Sequence, residues 1–160
     1  MDRINKILNH DLFIECVAKN AEEEKDRKFC CHNMWHFLDV ARLAMIFNLQ
    51  EQVGVAQDII YAAALLHDIG RFRQYLDGTP HEQESARMAP EILRDCDYNS
   101  DEIDMIIEAI GNHRKEEIRD ERNLSGLLYR ADKMSRSCFA CSSESECNWK
   151  NGKKNMSLRY

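Results

Sequence analysis

The run Ile59-Ile60-Tyr61-Ala62-Ala63-Ala64-Leu65-Leu66 constrains the fold most, because it is apolar on nearly every side and stops abruptly at His67-Asp68-Ile69-Gly70. A helix that is hydrophobic all round must be surrounded by other elements, so residues 55–68 are expected to form the central helix of a domain. Adjacent side chains on a helix diverge by roughly 100°, so His67 and Asp68 can face one site only if the helix ends there. Gly70 reads as that ending, since glycine enters the left-handed conformation that closes helices without steric cost. Taken alone, these residues fit two readings. One is a polar cap on a core helix, with the histidine favoured by the helix dipole; the other is a pair of metal ligands.

The rest of the chain offers helices to enclose that run. Ile4, Ile7, Leu8, Phe13, Ile14 and Val17 recur every three or four residues and predict one amphipathic helix over about 3–25, closed by a charged run at 22–27 that reads as a solvated face. A second helix is expected over 29–49, with Phe37, Val40, Ala41, Leu43, Ala44 and Phe47 as its stripe and His32 and His36 four apart on one face. Residues 71–80, carrying Asp77-Gly78 and Pro80, read as a loop lying over the end of the central helix. The fourth helix spans 81–96, kinked or split by Pro90, and Asn99 to Glu102 form a capping signature for a fifth that runs to about His113. A charged linker at 114–122 precedes a sixth helix over 124–136, which bears Asp132. No stretch alternates long enough to demand a strand. The expected architecture is therefore all-α: a bundle of about six helices in residues 1–137, with a cysteine-containing tail, 138–160, packed on it.

At 160 residues one core suffices. The net charge of −6 argues against nucleic acid as a general partner, because that binding is driven by counterion release to a basic face. The opening residues lack the apolar core of a signal peptide, and the longest apolar run is too short to span a bilayer, so a soluble, cytoplasmic protein with no membrane partner is expected. In a reducing compartment seven cysteines are packed thiols or metal ligands rather than disulfides.

Five of the six histidines, His32, His36, His67, His81 and His113, fall at helix starts, helix ends or in the first turns of a stripe. Imidazole and carboxylate ligands suit iron, manganese, nickel, zinc or cobalt. A lone histidine on an apolar face is more often a satisfied core residue than a ligand. The order of these residues, however, carries a resemblance. His36 followed by Phe37-Leu38-Asp39-Val40-Ala41, then Ala64-Leu65-Leu66-His67-Asp68-Ile69-Gly70-Arg71, then Arg130-Ala131-Asp132-Lys133, resembles the H…HD…D signature of the HD-domain metal-dependent phosphohydrolases, over roughly residues 29–136.

That resemblance implies an all-helical fold in which His36, His67, Asp68 and Asp132 converge on one divalent ion. His81, before Glu82-Gln83-Glu84-Ser85-Ala86, and His113, after Ile107-Glu108-Ala109-Ile110-Gly111-Asn112, resemble the additional histidines of members that hold two ions, with Asp68 bridging the pair. An exposed residue at a helix start remains the alternative for His81. The implied cofactors are one or two divalent ions, drawn from iron, manganese, nickel, zinc, cobalt and magnesium. Asp68 and Arg71 are the expected catalytic residues: a water activated by the metal attacks phosphorus, and the Arg71 guanidinium matches the phosphate. Arg73 and Lys133 are lesser candidates, and a surface ion pair is the competing account of each. The implied partner is a small phosphate ester, a nucleotide-like phosphomonoester or phosphodiester. The competing function is a non-catalytic regulator that binds a nucleotide or a protein on the same scaffold; a nuclease is a third, disfavoured by the acidic charge. A homodimer is left open.

The tail adds one more pattern. Cys138, Cys141 and Cys147 form C-x2-C-x5-C, three thiols that suggest a structural zinc lacking its fourth ligand. Cys30, Cys31 or His32 could complete the set if the tail folds back onto the start of the second helix, Cys30 being the residue assigned here. Reduced thiols in a loosely ordered tail are the alternative.

Overall fold

In the computed structural model, which describes residues 2–160, the apolar run forms helix α4 (Gln57–Leu66), and Ile60, Ala62, Ala63, Ala64, Leu65 and Leu66 are fully buried. Around it lie α1 (Asp2–Leu8), α2 (Asp11–Glu23), α3 (Met34–Glu51), α5 (Arg71–Asp77), α6 (His81–Asp95), α7 (Ser100–Asn112) and α8 (Leu124–Met134). Helix α4 packs against α1, α3, α6, α7 and α8, so one core is built about a single axis. Each leucine or isoleucine buried there is worth about 1.5–3 kcal/mol, which explains why the segment with no polar face takes the centre. There is no strand among the described residues, and the architecture is all-α. No described helix is long and apolar enough to cross a membrane.

Several element boundaries depart from the sequence reading. The single first helix is two: His10 leaves the helical conformation and its ring accepts from the Leu12 amide at 3.2 Å, capping α2 and breaking the stripe. The second helix begins later than Phe29, because the Asn33 side chain accepts from the amides of Trp35 and His36 at 3.1 and 3.2 Å and so starts α3 after His32. His32 and His36 therefore do not share a helix. Residues 71–77 form a short helix instead of a loop, anchored by the buried Phe72, and the turn falls on Gly78, whose φ of 79° ends α5. Pro90 lies within one continuous α6. At α7, Asn99 and Glu102 make the reciprocal capping pair that the sequence announces.

Gly70 is not left-handed. Its φ is −84°, and its role is close approach: a Cβ built there would meet the Ser85 amide at 2.6 Å and the Glu84 Cβ at 2.8 Å. The Gly70 amide donates to Ser85 Oγ at 2.9 Å. On the other side of the same turn, the buried Asn20 side chain donates to the Asp68 carbonyl at 2.9 Å and accepts from the Phe72 amide at 2.7 Å. The α4–α5 turn is thus clamped between α2 and α6.

The tail is wound as three single 3-10 turns, Cys138–Ala140, Glu144–Glu146 and Asn151–Lys153. Asn155 donates to the carbonyls of Lys133 and Arg136, Ser143 Oγ donates to the Lys28 carbonyl, and Lys28 pairs with Glu146 at 2.6 Å. Polar links of this kind hold it against α8 and the segment before α3.

Replacing Gly70 by Ala should lower stability by about 1–3 kcal/mol in denaturant unfolding, the usual cost of overpacking. Gly111→Ala, at a helical position with no atom within 4 Å of the added methyl, should be neutral or stabilising. Equal effects at the two positions would refute the close-approach account of Gly70.

Candidate metal centre

Five structural elements deliver side chains to one point. His36 comes from the first turn of α3, His67 and Asp68 from the end of α4, His81 from the first residue of α6, His113 from the end of α7 and Asp132 from α8. They fall into two groups whose ligand atoms lie within 4.8 Å of one another: His36, His67 and Asp132, and Asp68, His81 and His113. Asp68 joins them. Its Oδ2 lies 3.8 Å from His36 Nε2 and 3.4 Å from His67 Nε2, and its Oδ1 lies 3.0 Å from His81 Nε2 and 3.6 Å from His113 Nε2. His36 Nε2 is also 3.5 Å from Asp132 Oδ1.

Each ring is oriented through its other nitrogen. His67 and His113 both close helices, and each Nδ1 donates back to a carbonyl three residues earlier, Ala64 and Ile110, at 2.7 Å. His36 Nδ1 lies 3.3 Å from Ser135 Oγ, whose hydroxyl donates to the Asp132 carbonyl, and His81 Nδ1 lies 2.5 Å from Gln74 Oε1. At His67 and His113, where the carbonyl partner requires the proton on Nδ1, Nε2 presents a lone pair inward, the tautomer that a metal takes.

Three of the inward atoms, His36 Nε2, His67 Nε2 and Asp68 Oδ1, are buried without a hydrogen bond. His81 Nε2 and His113 Nε2 face each other at hydrogen-bond distance, 3.1 Å. Buried polar atoms of this kind cost several kcal/mol unless something fills the gap between them. A divalent cation meets every lone pair at once, and the donor set of neutral imidazoles and carboxylates fits one.

Burial pushes the His81 imidazole down to about 4 and also lowers His36, which favours their neutral forms, whereas at His67 the Asp68 and Asp132 carboxylates outweigh burial and raise it. For Asp68, burial opposes ionisation, but the charges of His67 and His32 and hydrogen bonds from neighbouring rings hold it well below the usual carboxylate range. Asp132 is likewise held down, against burial, by Lys133 at 2.5 Å and by His67.

Comparison with known proteins follows this geometry. The family model described as HD domain matches residues 35–137. The chain belongs to the HD domain family. A relative from Clostridium beijerinckii, an uncharacterized protein, is 49% identical over 160 residues, all of both chains. The crystal structure of a "predicted HD superfamily hydrolase" from an uncultured Thermotogales bacterium shares the fold with a TM-score of 0.63 at 22% identity, covering 89% of this chain and 81% of that one.

On this HD scaffold all six candidate ligands are brought together, and His81 is buried rather than exposed. Arg71 lies beside them, its Nη1 2.7 Å from His81 Nδ1 and its Nε donating to Tyr75 Oη at 3.2 Å. Lys133 lines the same cavity, about 190 Å³ in volume, whereas Arg73 pairs with Asp77 at 2.6 Å and takes no part in its lining. His32, considered above as completing a cysteine site, instead turns inward: its Nε2 lies 3.8 Å from Asp68 Oδ2 and its Nδ1 2.5 Å from Glu24 Oε1. Glu24, Asn20, Gln74 and Ser135 escaped the sequence reading. Each acts through contacts with residues outside its own stretch of pattern, and only the run of charge around Glu24 marked any of them.

The cysteines occupy a second, larger cavity. Cys30, Cys138, Cys141 and Cys147 all line it, but no three of their sulfurs lie within 4.8 Å of one another, so a tetrahedral single-ion zinc site is not preformed.

Metal content after chelation and reloading should separate the two groups. His81→Ala with His113→Ala should lose one ion per chain relative to the wild type, and Asp68→Ala, which serves both, should lose more. An Asp68→Ala protein with unchanged metal content would remove the bridging assignment.

Proposed function

We propose that the chain is a metal-dependent phosphohydrolase that cleaves a phosphomonoester or phosphodiester of a small, nucleotide-like molecule. The observation that carries this reading is the position of Arg71, a partly buried guanidinium set against the ligand groups, in the fields of Asp68 and Glu24 and hydrogen-bonded through Nε and Nη1 to Tyr75 and His81. Its planar fork has donors to spare, and a phosphate beside the centre would take them up. Arg27, Arg114, Lys133 and Arg136 line the same cavity and make it electropositive within an acidic protein.

When bound, divalent ions at such a centre supply Lewis acidity, lowering the pKa of a water toward neutrality and offsetting charge on phosphate oxygens. The protein's own residues do the rest. Asp68 and Asp132 hold negative charge at fixed positions, and the four imidazoles keep their Nε2 lone pairs aimed inward at no cost in reorganisation. Arg71, braced by Tyr75, holds the phosphate oxygens by paired N–H donors. His32, its Nδ1 proton held by Glu24, faces the cavity with Nε2 as an acceptor for a water or a substrate hydroxyl.

The ester's organic part meets the rim. Trp149 lines the cavity with the Arg136 guanidinium stacked 4.1 Å from its ring centroid. An indole held in this way offers a face on which a nucleobase stacks, worth about 1–3 kcal/mol.

His67→Ala and Asp68→Ala should each abolish hydrolysis of phosphoesters across a panel of nucleotides and sugar phosphates while leaving the helical circular dichroism unchanged. Turnover surviving both substitutions would sink the proposal, and binding of a nucleotide without turnover in any tested metal would favour the regulator. For an active nucleotide, Trp149→Ala should raise KM about tenfold, corresponding to about 1.4 kcal/mol of lost stacking, with little change for a small alkyl phosphate.

A further inference from the structure

We infer that Cys30, Cys138, Cys141 and Cys147 bind an iron–sulfur cluster in the larger cavity. These four free thiols come from two distant parts of the chain, the segment before α3 and the tail, and all line one cavity of about 480 Å³. The cavity adjoins the metal centre, from which Arg136 and Trp149 divide it.

Sulfur spacing selects the occupant. Around one zinc, Zn–S bonds of about 2.3 Å in a tetrahedron put the sulfurs about 3.8 Å apart. Here no three sulfurs lie even within 4.8 Å of one another. A cluster spreads its thiolates over several irons bridged by sulfide, so its ligands stand farther apart than those of one zinc. Four cysteines are the ordinary complement for such clusters, and C-x2-C-x5-C supplies three of them from adjacent 3-10 turns.

The choice between neighbouring cysteines is also made by position. Cys30 lies in the fields of Cys138, Cys141 and Arg136, whereas Cys31 lies in those of Glu24 and Arg27 and donates to the Phe29 carbonyl at 3.5 Å. Lys154 stands near Cys138 and Cys147 with its side chain only 6% exposed, and with Arg136 it places fixed positive charge where thiolates would gather. Glu144, which also lines the cavity, is already paired to Lys154 at 2.6 Å.

Folding of the tail gives a separate reason. None of the apolar side chains in 138–160 is buried among the described residues, so hydrophobic burial cannot order it. Ligand bonds that join it to Cys30 can, since binding free energy at such a site is folding free energy. Assembly takes ferric and ferrous iron together with sulfide from solution, two Fe3+ and two Fe2+ per four sulfides or two Fe3+ per two sulfides, and each thiol loses its proton to solvent as it binds iron, so no oxidation state changes.

The test is anaerobic purification of the full chain, reconstitution with ferric and ferrous iron and sulfide, and measurement of iron, acid-labile sulfide, zinc and visible absorption. The wild type is expected to hold about two or four sulfides per chain, with a brown charge-transfer absorption and a paramagnetic signal on reduction. Cys138→Ser with Cys141→Ser should lose the sulfide; Cys31→Ser and His67→Ala should keep it. Sulfide distinguishes this site from iron at the histidine centre, and the wild-type signal reads it without depending on the folding of any variant. Stoichiometric zinc on these cysteines, no sulfide after reconstitution, or sulfide retained in the double variant would each overturn the inference, whatever the phosphoesterase assays show.

Discussion

The carboxylate of Asp68 is the group on which the rest of the structure depends. It is 3% exposed and surrounded by imidazoles, with His32, His36 and His67 toward one oxygen and His81 and His113 toward the other. Burying a carboxylate costs several kcal/mol, and the surrounding imidazoles offset only part of that cost. A cation shared between the acid and the rings would complete the balance.

Those hydrogen bonds are made largely by backbone and by helix ends. Ala64 and Ile110 orient His67 and His113 by the same device, a ring folded back onto the last turn of its own helix. The negative end of the helix dipole also points at the centre in both cases, which favours a cation there. Asn20 and Ser85 then fix the turn that carries Asp68, so the position of the bridging carboxylate is set from α2 and α6 as much as from α4.

The tail belongs to the same arrangement. Trp149 and Arg136 form part of both cavities, and Ser143 and Glu146 tie the tail to the segment that presents Cys30 and His32. Whatever orders residues 138–160 also shapes the rim over the histidine centre. This links the state of the thiols to access to the site through a shared wall.

Much of this could be read from the chain alone. The apolar surround of Ile59 to Leu66 forced a central helix, because no other placement buries all its faces, and the order of His36, His67-Asp68 and Asp132 marked the site. Local capping chemistry was legible at Asn99, where both partners lie within one turn, and missed at His10 and Asn33, where a single side chain overrode a continuing apolar stripe. Gly70 was recognised as special for the wrong reason, since a clash with Ser85 and Glu84 has no local signature. The sequence by itself determined the central helix and, through the resemblance of its ordered His36, His67-Asp68 and Asp132 to the HD signature, which residues could ligate, since buried apolar periodicity and motif order both lie along the chain. Only the tertiary structure decided that His32 joins the histidines rather than the cysteines, that Asn20 and Ser135 support the site, and how far apart the thiols stand, because those are distances between segments that no spacing along the chain encodes.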